Sequence, residues 1–325
     1  MKNRMYKFDN IKAVLIFLVV FGHFLECVFG YKDLYLFIYT FHMPLFIFVS
    51  GYFAKYNRRK IVTDLIYPYV VFQILYTLFE IYLLGDEKLK LTFVRPRWIL
   101  WYMVAIIAYY LLIPLFDVKS SKNKIIVLGL MIMISLLVGY DYRVGYDLAL
   151  SRILVFMPFF FAGFYAKKEA LLLKIKSYIT RKTYLIALTG YVLFVKMVDV
   201  IIKNDVFNEK ILYGSCSYEI SERGVGIRIL MIMIAMISIS LVLLVVPDKR
   251  IPILSNIGMY TMPVFLIHGF IVKYCKYYLL ENEKKMSIQK ALLFSIITVL
   301  LLGNKFLSEL YKPLFSANVF LKKNK

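Results

Sequence analysis

Residues 9–51 read DNIKAVLIFLVVFGHFLECVFGYKDLYLFIYTFHMPLFIFVSG, two apolar runs joined by a short turn at Gly30 to Asp33. Each run is long enough to cross a bilayer as a helix, which takes about 20 residues. Yet the runs carry Asp9, Lys12, His23, Glu26 and His42, residue types that lipid rejects. Such groups are costly at membrane depth, so they face a bundle interior or a wet cavity and mark a functional site. This hairpin therefore points to a membrane-embedded helical fold and shows where chemistry belongs.

The rest of the chain extends the pattern. With 61% hydrophobic residues over 325 positions and a mean hydropathy of +0.72, the apolar surface exceeds what one soluble core hides. Windows of spanning length fall at 11–29, 34–53, 61–84, 98–116, 125–140, 152–166, 184–203, 228–246, 256–275 and 288–307. The expectation is an all-α polytopic bundle of about ten transmembrane helices, forming a single domain over residues 1–325. The N-terminus imitates a secretory signal, but no small-residue cleavage site follows, so an uncleaved hairpin is expected.

Basic residues flanking the spans predict orientation, because cytoplasmic loops carry the excess of Lys and Arg. Lys2, Lys55, Arg58, Arg59, Lys60, Lys119, Lys122, Lys124, Lys167, Lys168, Lys174, Lys176, Lys249, Arg250, Lys312 and the tail lysines Lys322, Lys323 and Lys325 fall in alternate segments. Asp86, Glu87, Asp141, Asp147, Asp205, Glu209, Glu219, Glu222, Glu281 and Glu283 fall mostly in the others. Both termini are thus expected in the cytoplasm. The net charge of +21 is scattered over short loops, which fits topology and anionic lipid and argues against nucleic acid. Cys27, Cys216 and Cys275 are too few and too irregularly spaced for a disulfide framework or a zinc site.

Lys12 and His23 stand eleven residues apart, close to three helical turns, so they share a face at a separation of about 16 Å. Asp9 and Glu26 extend that stripe by one turn at either end. Counting from the turn places His42 near the depth of His23, and His268 in the ninth span reaches a similar level. The three histidines are expected to converge on one layer. An intramembrane histidine also serves packing by bonding a backbone carbonyl, and that reading stands beside the functional one. None of the histidines shows H-x-x-x-H spacing, so no metal is expected.

At these residues the chain resembles the membrane-bound acyltransferase 3 family, in particular its branch of fucose 4-O-acetylases and capsule or exopolysaccharide O-acetyltransferases. The matching words are Phe8-Asp9-Asn10-Ile11-Lys12, Val19-Val20-Phe21-Gly22-His23, and Phe41-His42-Met43-Pro44-Leu45-Phe46 running on to Ser50-Gly51-Tyr52. Fainter echoes are Tyr67-Pro68-Tyr69, the stretch from Trp98 to Tyr102, and Leu266-Ile267-His268. In that family a basic residue followed by His after ten intervening positions is the signature of the first helix, here Lys12 and His23. Lys stands where many relatives carry Arg, so a bidentate phosphate grip becomes a point charge. Where many relatives keep an Arg before the Leu-x-Pro-Tyr-like segment, this chain has Asp64, and phosphate binding passes to Arg58, Arg59 or Lys60.

The resemblance implies an acyl-coenzyme A donor, acetyl-CoA in the first instance, and a glycan or lipid-linked oligosaccharide acceptor at the plasma membrane. Lys12, Arg58, Arg59 and Lys60 would hold the donor, although the same cluster satisfies the positive-inside rule alone. An alcohol needs a general base, and imidazole suits that role. His23 is the candidate, oriented by Glu26. His42 would stabilise the oxyanion or hold the acceptor, and a covalent relay through His23 stands beside the direct route. Trp98, Trp101, Tyr102 and His268 are candidates to line the acceptor groove, with an interfacial aromatic belt the alternative for the first three. Ser50 reads as a small packing residue, and Lys196 with Asp199 as a mutually neutralising pair. The rival function is a transporter or flippase that moves a polar or lipid-linked molecule without acyl chemistry.

Overall fold

The structure, a computed structural model, describes residues 4–86, 88–170, 180–204, 209–220, 223–282 and 284–321. Lys2, Lys174, Lys176, the tail lysines, Glu87, Asp205, Glu222 and Glu283 lie outside them. Among the described residues the backbone is nearly all helical, and extended pairing is confined to an isolated bridge between Val28 and Met286. The helices are α1 (Tyr6–Leu25), α2 (Lys32–Phe53), α3 (Arg58–Tyr82), α4 (Trp98–Phe116), α5 (Ser121–Leu137) and α6 (Leu150–Lys168). They continue as α7 (Arg181–Lys203), α8 (Gly224–Val245), α9 (Pro252–Met259), α10 (Thr261–Glu281) and α11 (Ile288–Leu302).

Among the described residues eight spans are long and apolar enough to cross a membrane, and the bent pair α9–α10 makes up to nine. Two expected spans are altered. The ninth breaks at Tyr260, whose backbone leaves the helical region, and the halves meet at 79°. The tenth stops at Leu302, because Gly303 ends it and the Asn304 side chain accepts from Leu307 N–H at 3.0 Å to cap a new short helix, Lys305–Leu310. The sixth, expected to be the shortest, is a full 19-residue helix.

Small residues let the backbones approach. A Cβ on Gly51 would lie 1.9 Å from the Phe160 carbonyl oxygen, and one on Gly163 2.0 Å from that of Phe48. Helices α2 and α6 therefore cross at reciprocal glycines, the packing that membranes favour where no hydrophobic drive exists between helices. Helix α1 sits centrally, against α2, α9, α10 and α11. The outer faces of α5 and α7 present Ile125, Ile126, Leu185, Ile186 and Leu193, as suits a lipid boundary.

Both described chain ends meet the adjoining ends of α2 and α3. Phe8 packs on Tyr52 with ring centroids 4.4 Å apart. Ser316 and Asn318 donate to the Asp64 carboxylate at 2.5 and 2.8 Å. Asp64 is thus the anchor of the tail, which accounts for an acid where a phosphate-binding Arg was sought. The expected Lys196–Asp199 pair does not form: Asp199 pairs with Lys203 one turn on, at 2.7 Å.

Candidate active site

His23 lies in the last turn of α1, three residues before Glu26 at its C-cap. That spacing brings the two side chains onto one face, and His23 Nδ1–H donates to Glu26 Oε1 at 2.9 Å. A carboxylate partner favours the proton on Nδ1 and leaves Nε2 with its lone pair, the tautomer a base requires. The Tyr39 hydroxyl lies 3.3 Å from the same Nδ1. Lys276 approaches the other Glu26 oxygen at 3.7 Å. The imidazole stacks on His268, centroids 5.6 Å apart at 24°, and its ring centroid lies 4.3 Å from that of Trp98.

His42 reaches this cluster through Tyr39, whose ring centroid is 4.7 Å from its own. Both accessory histidines use Nδ1–H on their own helix, His42 to Ile38 O at 2.7 Å and His268 to Val264 O at 2.8 Å. The predicted single layer is therefore a stacked pair, His23 and His268, with His42 joined to it by a tyrosine. His268 is fully buried, and among the described residues its Nε2 has no hydrogen-bond partner.

A cavity of about 650 Å³ opens at the end of the bundle remote from the chain ends, lined by His23, Glu26, Tyr39, His42, Trp98, Trp101, Arg152 and Tyr213. Its size is that of small-molecule sites. A second cavity of about 480 Å³ shares Trp98, Trp101, Tyr146 and Arg152 with it. The Tyr213 hydroxyl bonds that of Tyr35, and burial pushes Tyr213 up to about 12, so it stays neutral.

Trp98 is held in a left-handed conformation, φ 34°, which a bulky residue tolerates only where its surroundings enforce it. The Gln73 side chain supplies part of that restraint, accepting from Arg97 N–H at 2.9 Å and donating to the Arg95 carbonyl at 2.9 Å. Buried Glu80 adds a cationic brace, with Lys273 at 2.5 Å and Arg97 at 3.7 Å, and the Lys273 ammonium sits 5.4 Å from the Trp98 ring centroid.

Not every expected residue joins the site. Tyr102 turns away from both cavities: its hydroxyl bonds Ser50 Oγ at 2.5 Å and its ring packs on Phe46 and Phe265. Ser50 also donates to Phe46 O at 3.0 Å. Lys12 pairs with Asp9 at 3.0 Å, which Arg4 also holds at 2.6 Å. Arg58 donates to the Tyr56 hydroxyl at 3.0 Å, and Arg59 and Lys60 are exposed. Neither cavity reaches these four cations, which gather at the opposite end of the bundle. All three cysteines are free.

Sequence reading passed over Tyr39, Arg152, Tyr213, Lys276 and the Glu80 brace. A signal existed for Glu80 and Arg152, charges inside apolar runs, but neither stands within a helical turn of a partner. The counterparts of Glu80, Lys273 and Arg97, come from distant parts of the chain.

Fold and site together define a multi-pass membrane protein with a carboxylate-oriented histidine on the wall of an open cavity. Residues 5–303 match the family model described as "Acyltransferase domain", and the chain belongs to this acyltransferase 3 family. Nodulation protein NolL of Sinorhizobium fredii is 31% identical over 159 residues, covering 42% of this chain and 43% of that protein. The match thus spans less than half the length of the relative. No solved structure matches the chain.

Proposed function

We propose that the protein is a plasma-membrane O-acyltransferase that moves an acetyl group from acetyl-CoA to a hydroxyl of a cell-surface or lipid-linked glycan, with His23 as general base. The observation that carries this reading is the His23–Glu26 pair at 2.9 Å on the wall of the larger cavity. The acceptor enters that cavity, and the donor's phosphates lie near Lys12, Arg58, Arg59 and Lys60 at the other end, with both termini cytoplasmic. The arm of the donor then runs along α1 toward His23, about 16 Å for eleven residues of helix.

In the reaction His23 Nε2 takes the proton of the acceptor hydroxyl as its oxygen attacks the thioester carbonyl. The tetrahedral intermediate collapses, the carbon–sulfur bond breaks, and the coenzyme A thiolate recovers the proton from the imidazolium. Glu26 stabilises the cation formed in between. With its Nδ1–H committed to Ile38 O, the His42 imidazole offers Nε2 only as an acceptor. It therefore fits the role of holding a second acceptor hydroxyl better than that of an oxyanion donor. Trp98 and Trp101 supply flat faces for the sugar.

The test is reconstituted protein given radiolabelled acetyl-CoA and a glycan acceptor. Transfer of label that His23→Gln abolishes is the expected result. Movement of the glycan across the bilayer with no acylation would overturn the proposal in favour of a transporter.

A further inference from the structure

Arg152 takes no part in the proposed acyl transfer. It opens α6 at the junction of the two cavities and lines both, its guanidinium 4.9 Å from the ring centroid of Trp101 and 5.9 Å from that of Tyr146. Among the described residues its buried Nε has no hydrogen-bond partner and no carboxylate lies within 4.0 Å of its guanidinium. The other two arginines of the smaller cavity are neutralised, Arg95 by Asp147 at 2.5 Å and Arg143 by Asp141 at 3.0 Å. Arg228, fully buried, donates to the Ser135 carbonyl at 3.2 Å and lines neither cavity.

Arg152 is half-buried, with its guanidinium facing the cavities. A guanidinium does not shed its proton in a protein, and a charge partly withdrawn from water without a counter-ion is costly. A group kept in that condition on a cavity wall is matched to an anion that arrives with the ligand. Stacking on Trp101 holds the planar fork in place, and the fork suits a carboxylate or a phosphate in bidentate fashion.

We infer that Arg152 binds an anionic group of the acceptor, so that the acceptor is an acidic or phosphate-bearing sugar and not a neutral one. This rests on the acyl-transfer reading of the same cavity. Two sources supply the shared chemistry: a carboxylate on the sugar ring, or the phosphate that joins a sugar to its carrier.

The protein has two tryptophans, Trp98 and Trp101, and both line both cavities, so intrinsic tryptophan emission reports on this site alone. Purified full-length protein in detergent is titrated with methyl β-glucoside, methyl β-glucuronide and glucose 1-phosphate. At least one charged sugar should change the emission saturably and bind more tightly than the neutral one, by about tenfold or more, as hydrogen bonds to a charged group allow. The tighter of the two charged sugars identifies the source. Arg152→Gln should abolish the preference for charge, and Arg152→Lys, which keeps the charge without the fork, should retain part of it. Equal response to neutral and charged sugars in the native protein, no response to either charged sugar, or a preference that survives in Arg152→Gln would each overturn the inference. The native protein alone decides the first two, so a variant that fails to fold leaves the test intact. Because emission reads binding and label reads transfer, a neutral preference with transfer intact removes this inference only, whereas anionic preference without transfer removes the acyltransferase reading.

Discussion

His23 draws its neighbours from widely separated parts of the chain: Glu26 follows it on α1, Tyr39 comes from α2, Trp98 from α4 and His268 from α10. Replacing it with Gln keeps a helix-compatible side chain and removes the proton acceptor. Turnover should fall by about two to four orders of magnitude, with the KM for acetyl-CoA and the expression level unchanged. A normal rate in that variant would rule His23 out as the base. Glu26→Gln still accepts from Nδ1–H but no longer stabilises the imidazolium, so its loss in kcat should be smaller, roughly 10 to 100-fold, as for other orienting partners. The Lys12, His23 and Glu26 positions were legible in the sequence because they lie on one helix, where spacing fixes direction. Tyr39 and Arg152 were not, because their roles come from the crossing of α2 and α6 over α1 and α4, which no local period encodes.

At the scale of the element, close crossings carry the architecture. Gly163→Leu puts a side chain where the Phe48 carbonyl already stands, and backbone cannot move aside as a flexible side chain does. Overpacking commonly costs about 1 to 3 kcal/mol, and here more is expected, because relief requires α2 and α6 to separate. The melting temperature in detergent should drop well below the native value, and activity should vanish with it. A melting temperature unchanged by this substitution would mean that the two helices have room to spare at their crossing. Gly129, whose added Cβ meets nothing within 4 Å, is the matched control. Apolar run lengths announced most of the spans correctly. They failed at Tyr260 and Gly303, since hydropathy averages over a window and does not register a one-residue break in backbone direction.

For the whole molecule, the described chain ends share one end of the bundle and the cavities open at the other. On the proposed orientation, which puts the basic loops in the cytoplasm, a cysteine at Asp86 in a background lacking the three native cysteines should react with an impermeant thiol reagent added outside intact cells. One at Lys122 should react only after permeabilisation. The reverse pattern would move donor and acceptor to opposite sides from those proposed.

The contacts of Glu26 with Lys276 and of His23 with His268 also bear on how the protein is made. The hairpin that holds the base leaves the ribosome well before these partners, which are translated about 250 residues later. Throughout that interval an ionisable pair waits at membrane depth without the groups that complete its surroundings, a state that bilayers tolerate poorly. Nascent chains ending after α8 should therefore depend on a membrane chaperone and be degraded faster than the full protein in a pulse-chase experiment. Neutralising the hairpin, with His23 and Glu26 both changed to Leu, should lengthen the life of the truncated chain, and an unchanged half-life would show that the early helices are content alone.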